Sequence, residues 1–483
     1  MSRRVKVTLT VCVGVFMASL DLFIVNIAFP DIEKNFHGAT LSGLSWVLSA
    51  YAIAFAALLV PAGRWADRVG RKTVFTAGLG IFSASSAACA AAPSLATLVA
   101  ARAVQAIGAA MLFPTSLGLL LPEYPVAKRG AAIGIWSAVG GVAAAAGPPL
   151  GGLLVQAGWR WVFIVNVPIG FIALIASVRL LRNTREETAT ARPDVLGAAL
   201  FTGAIAALTL AIVQGQSWGW SGARVVGLLI ASVLLIGAVA YRSARHPAPL
   251  IEPAIVRTRA VALANIAGIL FFMAFAVLLL GGVLFQTQVW HVSILRAGLQ
   301  IAPGPMMAAL TAFPSGLLGQ RIGPRYVAAA GAVLFALGGL WFRAHLTLAP
   351  DYATALLPSQ IIGGAGVGLV LPSLSAAATA SLPPARFATG TGLVGMSRQL
   401  GSALGVAIFV AILGHPTAAT ALGAFRNGWT FLIGSALAAG VVFAAVGAVK
   451  PRPAGVPAAV PAAAAGELPE PAAATAAALR AVS

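Results

Sequence analysis

The sequence predicts an all-α integral membrane protein, on the evidence of its composition and its long uncharged runs. Of its 483 residues, 59% are hydrophobic and only 9% are charged, whereas soluble domains have roughly 25% charged residues. The stretches 195–223 and 261–289 contain no Asp, Glu, Lys or Arg. Apolar runs of about 18 or more residues are typical of membrane-spanning helices. The hydrophobic side chains are therefore expected to face lipid and one another.

Fourteen spanning helices are predicted, and the basic residues support that count. The spans fall near 7–29, 46–62, 74–92, 95–121, 130–156, 161–181, 195–213, 223–241, 260–289, 297–319, 326–343, 353–378, 389–413 and 428–449. With the N-terminus inside, 23 of the 31 Lys and Arg fall on the inner side, 6 fall outside, and 2 lie within helices. Positive residues concentrate in cytoplasmic loops. We therefore expect a multi-pass protein of the cytoplasmic (inner) membrane with both termini cytoplasmic.

An internal repeat divides the chain into two sets of six helices. GRWADRVGRK (63–72) recurs in degraded form as GLLGQRIGPR (316–325), each time after the second helix of a set. Parallel duplication of a six-helix unit is a transporter architecture. The predicted organisation is a first bundle at 1–181, a linker with two additional helices at 182–259, a second bundle at 260–450, and a disordered Ala/Pro-rich cytoplasmic tail at 451–483.

Several function classes are disfavoured by what the chain contains. The net charge of +19 is scattered over short loops and forms no basic face, so no nucleic-acid partner is expected. No GxxxxGK[ST] loop is present for an ATP-driven pump. The five histidines are isolated, and the two cysteines lie in apolar runs, which argues against an enzyme, a metal site or a disulfide. We expect a monomer with no cofactor, in contact with the bilayer and a small hydrophobic substrate.

Asp21 interrupts an apolar span, SLDLFIVNIAFPDI (19–32), and such an acid is costly in lipid. It lies 14 residues into the first span, about 21 Å deep, while Arg102 lies about 10 Å below the outer boundary in the fourth. These depths are similar, so the two could form a pair that lowers the cost of both. Burial would favour the neutral acid and Arg102 the carboxylate, so a conformational change could move a proton. A static salt bridge that fixes helix register is the alternative. Gln105, on the same side as Arg102, is a further candidate partner.

Other polar and aromatic residues within spans are candidates for a substrate cavity. Asn26 could line the cavity or bond a neighbouring helix. Arg398 could face the cavity or extend toward the inner surface. Phe272, Phe275 and Gln286 of the ninth span are further candidates. With a single deep carboxylate, neutral or monocationic substrates are expected.

Two glycine-containing segments are candidates for conformational gating. In GRWADRVGRK the relevant residues are Gly63, Asp67, Arg68, Gly70 and Arg71, since glycine permits a tight turn and Asp67 can pair with an arginine. The segment could latch helix ends in one state, or it could simply be a basic loop that fixes topology.

The second candidate gating segment is GPPLGG (147–152), with Gly147, Pro148, Gly151 and Gly152. Its small residues allow very close helix packing and a bend. It could serve as a hinge or a seal against proton leak, or it could serve helix crossing alone.

These motifs together resemble the major facilitator superfamily. GRWADRVGRK is similar to that family's motif between the second and third helices. RAVQAIGAA (102–110) is similar to the fourth-helix motif of its proton-driven members, with Ala106 where that motif has glycine. GPPLGG is similar to the fifth-helix antiporter motif. LDLFIVNIAFPDI and WRWVFIVNVPIG (159–170) are similar to motifs of its 14-helix drug:proton antiporters.

The resemblance implies two six-helix bundles around a central cavity, with two additional helices between them. It also implies export of hydrophobic drugs in exchange for protons by alternating access, and it favours a hinge or seal role for GPPLGG. The alternatives are proton-coupled transport of an endogenous metabolite or lipid, in either direction, and a membrane enzyme.

Overall fold

Fourteen helices long and apolar enough to cross a membrane follow one another in the computed structural model, which confirms the predicted fold class. The structure describes residues 2–36, 38–125, 129–184, 193–247, 249–379, 387–414, 416–417 and 419–446, and no β-strand occurs within these ranges. The predicted disordered tail at 451–483 lies outside the described residues, as does most of the charged linker, 185–192.

The first eight spans are numbered here in chain order. They are α1 (Arg3–Asn35), α2 (Leu41–Val69), α3 (Arg71–Ala90), α4 (Leu95–Leu120), α5 (Arg129–Val155), α6 (Trp161–Leu180, irregular at Val165), α7 (Val195–Trp218) and α8 (Ala223–Ser243). Short polar side chains start several of them. Thr40 accepts from the Gly43 amide, and Ser94 and Thr97 form a capping box that satisfies amides at the start of α4.

The last six spans include two with a π-helical turn and one that is interrupted. They are α9 (Arg259–Leu284, extended by a π-helical turn at Phe285–Val289), α10 (Ile294–Ile301 and Pro303–Ile322), α11 (Pro324–Ala344), α12 (Leu357–Thr379, preceded by a π-helical turn at Tyr352–Leu356), α13 (Phe387–Leu413) and α14 (Ala421–Ala444). The final span begins and ends several residues earlier than the sequence predicts.

The two sets of six helices pack by the same rules. In the first set, α3 packs on α4 and α6, α2 packs on α4, and α1 packs on α5 and α6. Adding eight to every number gives the packings of the second set: α11 on α12 and α14, α10 on α12, and α9 on α13 and α14. The repeat seen in the sequence is therefore a repeat of tertiary packing.

The two halves meet through equivalent helices. The contact of α2 with α13 has its counterpart in the contact of α10 with α5, and α1 also touches α9. The additional helices α7 and α8 pack on each other, and α7 packs against α2 and α13. The additional pair therefore lies beside one of the two seams between the halves.

At the α5–α10 seam the halves pack closely on only one side of the bundle. We call the side where α1 begins the proximal side and the side where α1 ends the distal side. On the distal side, a Cβ added to Gly152 would lie 2.8 Å from the Leu295 Cα, and the Gln288 amide donates to the Glu33 carboxylate at 3.0 Å. Toward the proximal side, Gly140 of α5 and Gly316 of α10 have no described atom within 4 Å of an added Cβ. The halves therefore separate toward the proximal side along this seam, while α2 and α13 stay in contact.

Candidate functional site

A closed polar network surrounds Asp21 in the interior of the first half. The Arg102 guanidinium donates to the Asp21 carboxylate at 2.5 Å, and both side chains are at most 1% exposed. The Gln105 amide donates to the other carboxylate oxygen at 3.0 Å, while its carbonyl accepts from Arg102 at 2.6 Å. Asp21, Arg102 and Gln105 are therefore mutually bonded, as their depths along the helices allow. Their role in proton coupling stays a prediction.

Helices α2 and α3 complete this network. Arg102 Nε donates to the Val47 carbonyl of α2 at 3.1 Å, and its guanidinium lies 4.2 Å from the centroid of the Tyr51 ring. The Gln105 amide also donates to the Ser86 hydroxyl of α3 at 2.7 Å. Hydrogen bonds to a buried ion pair repay part of the cost of taking its charges out of water. Val47, Tyr51 and Ser86 were missed from the sequence, because single hydroxyls and carbonyls within apolar spans give no pattern.

Asn26 does not reach a neighbouring helix by any bond in the described structure. Its amide donates to the Leu22 carbonyl one turn earlier in α1, at 2.7 Å. The interhelical alternative considered for this residue is therefore wrong. Asn26 is half-buried, and its place in a substrate cavity stays a prediction.

The segment GRWADRVGRK is helix rather than loop. Helix α2 continues to Val69, α3 begins at Arg71, and Gly70 alone makes the turn, with a φ of 120°. A side chain is strained at such a φ, and a Cβ on Gly70 would also collide with the side chain of Asn183. The equivalent Gly323, with a φ of 95°, makes the same turn between α10 and α11. The expectation of a loop was wrong because one glycine suffices to reverse the chain.

This turn also ties together four helices of the first half. Arg71 pairs with Asp67 at 2.9 Å, and its side chain lies against Gly118 at the end of α4. Its backbone amide donates to the Thr184 carbonyl after α6, at 2.8 Å. Gly63 packs on Pro114 of α4, and an added Cβ there would lie 3.3 Å away. Among the described residues, Arg68 has no salt bridge.

The second copy of this segment makes no such ties in the described structure. Arg325, the equivalent of Lys72, bonds only the adjacent Tyr326, and Gly316, the equivalent of Gly63, has open space beside it. Among the described residues, these ties between helices are therefore made in the first half only, and a latch role for them stays a prediction.

The segment GPPLGG contacts two different helices. Added Cβ atoms on Gly147 and Gly151 would lie 2.5 Å from Phe23 and 3.1 Å from Ile27, both in α1. Gly152 faces Leu295 of α10. A Cβ added to Gly298 of α10 would collide with the Pro148 carbonyl oxygen, so α10 can approach α5 this closely only because residue 298 is glycine. The glycines and Pro148 therefore form the distal seam where α5 meets α1 and the second half. Both structural readings, close packing and a seal, fit this placement.

The candidate cavity residues of the second half are differently exposed. Phe272 is 3% exposed and packs edge-on against Phe271 and Phe275, and Phe275 is half-buried. Gln286 is fully buried, and its amide donates to the Gly282 carbonyl of its own helix at 3.0 Å. Arg398 lies half-buried in α13. Their assignment to a substrate cavity stays a prediction.

The described residues contain no cluster of three or more His, Cys, Asp or Glu able to hold a metal ion. Two hollows, of about 370 and 610 Å³, lie against α7 on the side of the bundle that carries the additional helices. Neither is lined by Asp21 or Arg102. The charged network is thus separate from the surface hollows.

A duplicated six-helix fold with a buried ion pair in one half defines a polytopic membrane protein of the secondary-transporter type. The chain belongs to the Major Facilitator Superfamily, whose family model matches residues 11–307 and 265–482. This confirms the family predicted from the motifs.

Characterised relatives share about a third of the sequence. The tetracenomycin C resistance and export protein of Streptomyces glaucescens is 34% identical over 83% of this chain and 74% of its own length. The multidrug resistance protein Stp of Mycobacterium tuberculosis is 34% identical over 84% of this chain and 75% of its own length. The methylenomycin A resistance protein of Streptomyces coelicolor is 33% identical over 86% of both chains.

Solved structures show the same fold at low identity. A bacterial homologue of the human lysosomal transporter Spinster, in an inward-facing and unoccupied conformation, superposes with a TM-score of 0.64 at 18% identity, covering 92% of this chain and 97% of that one. A peptide transporter in complex with alafosfalin superposes with a TM-score of 0.66 at 18% identity, covering 91% and 93%.

Proposed function

We propose that this protein is a proton-coupled transporter of the inner membrane that exports small hydrophobic drugs or antibiotics by alternating access. The observation that carries the proposal is the buried network of Asp21, Arg102 and Gln105. A charged pair in a membrane interior marks an ion pathway by default. Resistance and export proteins among the relatives supply the substrate class.

Asp21 is the residue proposed to carry the proton. The Arg102 guanidinium donates to its carboxylate in this conformation, and a carboxyl group without such a partner in an apolar surround favours the neutral acid. Movement of α1 relative to α4 would lengthen the contact between them, so that Asp21 takes up a proton. Closure of the contact would release it. No resident cofactor is needed, because the proton is the coupling ion.

The two glycine-containing segments are proposed to govern the conformational change. The distal seam at Gly152 and Gly298 closes one entrance in this conformation, while the halves separate at the other. The latch formed by Asp67 and Arg71 holds the ends of α2, α3 and α4 together, so the first half would move as a rigid body. Such rocking of two halves about a central site is the usual basis of alternating access.

The proposal is tested by transport into everted membrane vesicles energised with an inward-acid pH gradient. Labelled puromycin and ethidium are the probes, because one relative is named for puromycin resistance. Wild type should accumulate at least one probe, and a protonophore should abolish accumulation. Asp21→Asn should abolish gradient-driven accumulation, while Asp351→Asn, in an exposed turn, should retain it. Full gradient-driven transport by Asp21→Asn would show that Asp21 does not carry the coupled proton.

A further inference from the structure

Arg398 is a cation without a counter-ion in the described structure. It lies in the middle of α13, half-buried, and it makes no hydrogen bond or salt bridge to any described residue. The eight described acids all bond other groups: Asp21, Asp31, Glu33, Asp67, Glu123, Asp194, Glu252 and Asp351. A charged side chain at this depth is costly unless an opposite charge or an acceptor compensates it.

The position of Arg398 on its helix directs it to the seam between the halves. Gly395, one turn earlier, faces α2, since an added Cβ would lie 2.6 Å from Leu59. Arg398 and Gln399 lie on the same side of α13 as Gly395. Ser397 faces away and donates to Asn265 of α9 at 2.6 Å. The Gln399 amide nitrogen is buried and has no partner in the described structure.

Tyr51 of α2 presents a third unsatisfied donor to the same place. It is 1% exposed and belongs to the same buried cluster as Leu59, the residue that Gly395 faces, and its hydroxyl has no partner in the part of the chain described. A buried donor left without an acceptor loses its bonds to water and gains none in exchange, so it destabilises the fold. Two unpartnered donors and an unpaired cation that lie together indicate that an acceptor belongs between them.

Aromatic side chains continue from this place toward the proximal opening. The Tyr51 ring lies 5.8 Å from Phe55, which lies 5.3 Å from Phe113, which in turn lies 6.2 Å edge-on from Trp136. Trp136 is half-buried, and Gly140, one turn further along α5, borders open space. Tyr51 and Phe55 are buried in this row, while Phe113 and Trp136 are half-buried, so the latter two can pack edge-on against a flat apolar ring.

We propose that Arg398, Gln399 and Tyr51 form a binding site for planar aromatic compounds that carry a deprotonated acidic oxygen, a carboxylate or a phenolate. Arg398 supplies the charge, the Tyr51 hydroxyl and the Gln399 amide supply hydrogen bonds, and the aromatic row holds the rings. This inference rests on the proposed export function and names its substrate class. The deep Asp21 carboxylate is already paired with Arg102, so the unpaired charge at the seam is the cation Arg398, which favours an anionic group on the substrate.

The site is tested by binding of three matched probes to the purified full chain in nanodiscs. Pyrenebutyrate, pyrenebutanol and pyrenebutylamine share one ring system and differ only in the charge of the terminal group. Quenching of tryptophan fluorescence reports binding of each. Wild type should bind pyrenebutyrate at least about tenfold more tightly than either analogue, since charge-assisted hydrogen bonds to a buried arginine are the strong ones.

Variants separate recognition of the anion from general packing. Arg398→Gln should lose the preference for pyrenebutyrate and leave the Kd of pyrenebutanol within about twofold, whereas Arg398→Lys should retain part of the preference. Tyr51→Phe should weaken pyrenebutyrate binding alone. Arg296→Gln, on the exposed surface, is the matched control and should change nothing.

Three outcomes would overturn the inference: no binding of pyrenebutyrate, tighter binding of the amine, or an equal loss of all three probes in Arg398→Gln. Vesicle transport distinguishes this failure from failure of the proposed function. If puromycin or ethidium is transported while pyrenebutyrate is not preferred, the substrate class is wrong and the export function stands. If pyrenebutyrate binds but neither it nor puromycin nor ethidium moves under any gradient, the export function is wrong and the binding site stands.

Discussion

At the scale of single residues, the Asp21–Arg102 pair is stable only as a pair. Both charges are enclosed by apolar spans, and each is bonded by Gln105 or by the Val47 carbonyl as well as by its partner. Removal of one partner leaves the other charge buried and uncompensated. That loss costs about 3–5 kcal/mol, far more than the net worth of the intact pair.

This asymmetry predicts the order of stability among charge variants. Arg102→Gln should lower the melting temperature more than the double variant Asp21→Asn/Arg102→Gln, because the double variant buries no unpaired charge. Unfolding of the purified protein followed by tryptophan fluorescence measures both, with the exposed Arg224→Gln as a control expected to match wild type. Equal destabilisation by the single and double variants would show that the carboxylate does not depend on Arg102.

Sequence reasoning predicted which residues share a depth, but it did not predict all the groups that they meet on other helices. A rise of 1.5 Å per residue sufficed to place Asp21 level with Arg102. The neighbours of Arg398 could not be predicted in this way, because Tyr51 belongs to the other half and the α2–α13 seam is a tertiary contact. The prediction of an interhelical bond for Asn26 failed for the same reason. Its position around the helix axis was known, but it was not known that its amide donates to a carbonyl of its own helix.

At the scale of elements, α5 uses its small residues on two faces. Gly147 and Gly151 seat the side chains of α1, while Gly152 meets the backbone of α10. Only the contact of Gly152 with α10 joins the two halves. A substitution at Gly152 can therefore change the packing between the halves without changing the packing of α5 on α1. The sequence identified the segment as a packing motif, but the identity of the helices it touches required the fold.

The crossing contact predicts that bulk at Gly152 opens the distal side. Gly152→Val places methyl groups against the Leu295 backbone, so the packed distal conformation becomes unfavourable. Spin labels at the exposed Lys34 and Arg296, read by double electron–electron resonance, should report a longer distance in this variant. Gly140→Val, which borders open space, should leave the distance unchanged, and a shift in both variants would point to a general loss of packing.

The additional helices are joined at their proximal ends by an ion pair that titrates. Burial opposes ionisation of Asp194, the start of α7, but bonds from Arg242 of α8 and the Gly197 amide outweigh it and hold its pKa below the usual range. The ion pair therefore stabilises the folded state fully at pH values above about 3.9, the pKa of an aspartate in the unfolded chain. This stabilisation is lost as the pH falls through the lower pKa that Asp194 has in the folded chain. The melting temperatures of wild type and Asp194→Asn should differ by a constant amount between pH 5 and 7 and should converge below about pH 4. A difference that vanishes already at pH 5 would contradict this assignment.

At the scale of the whole molecule, the duplicated packing explains why fourteen helices were predictable and the conformation was not. Span number and order follow from hydropathy and charge, and the equivalence of the halves follows from one repeated turn at Gly70 and Gly323. The equivalence of the halves relates the α2–α13 seam to the α5–α10 seam, but it does not relate one side of the bundle to the other. The sequence therefore does not decide which side is closed, and the structure shows the α5–α10 seam packed on the distal side and open on the proximal side.

This conformation predicts different reactivity at the two ends of the bundle. With Cys12 and Cys89, both buried, replaced by serine, Gly140→Cys should react with a polar maleimide nearly as fast as Ser217→Cys on the exposed surface. Ile301→Cys, packed with Ile27 and Val283 in the distal seam, should react far more slowly. If the halves rock about a central site, substrate with acid on the distal side should slow Gly140→Cys and speed Ile301→Cys together. A change at one position without the opposite change at the other would show that the two entrances open independently.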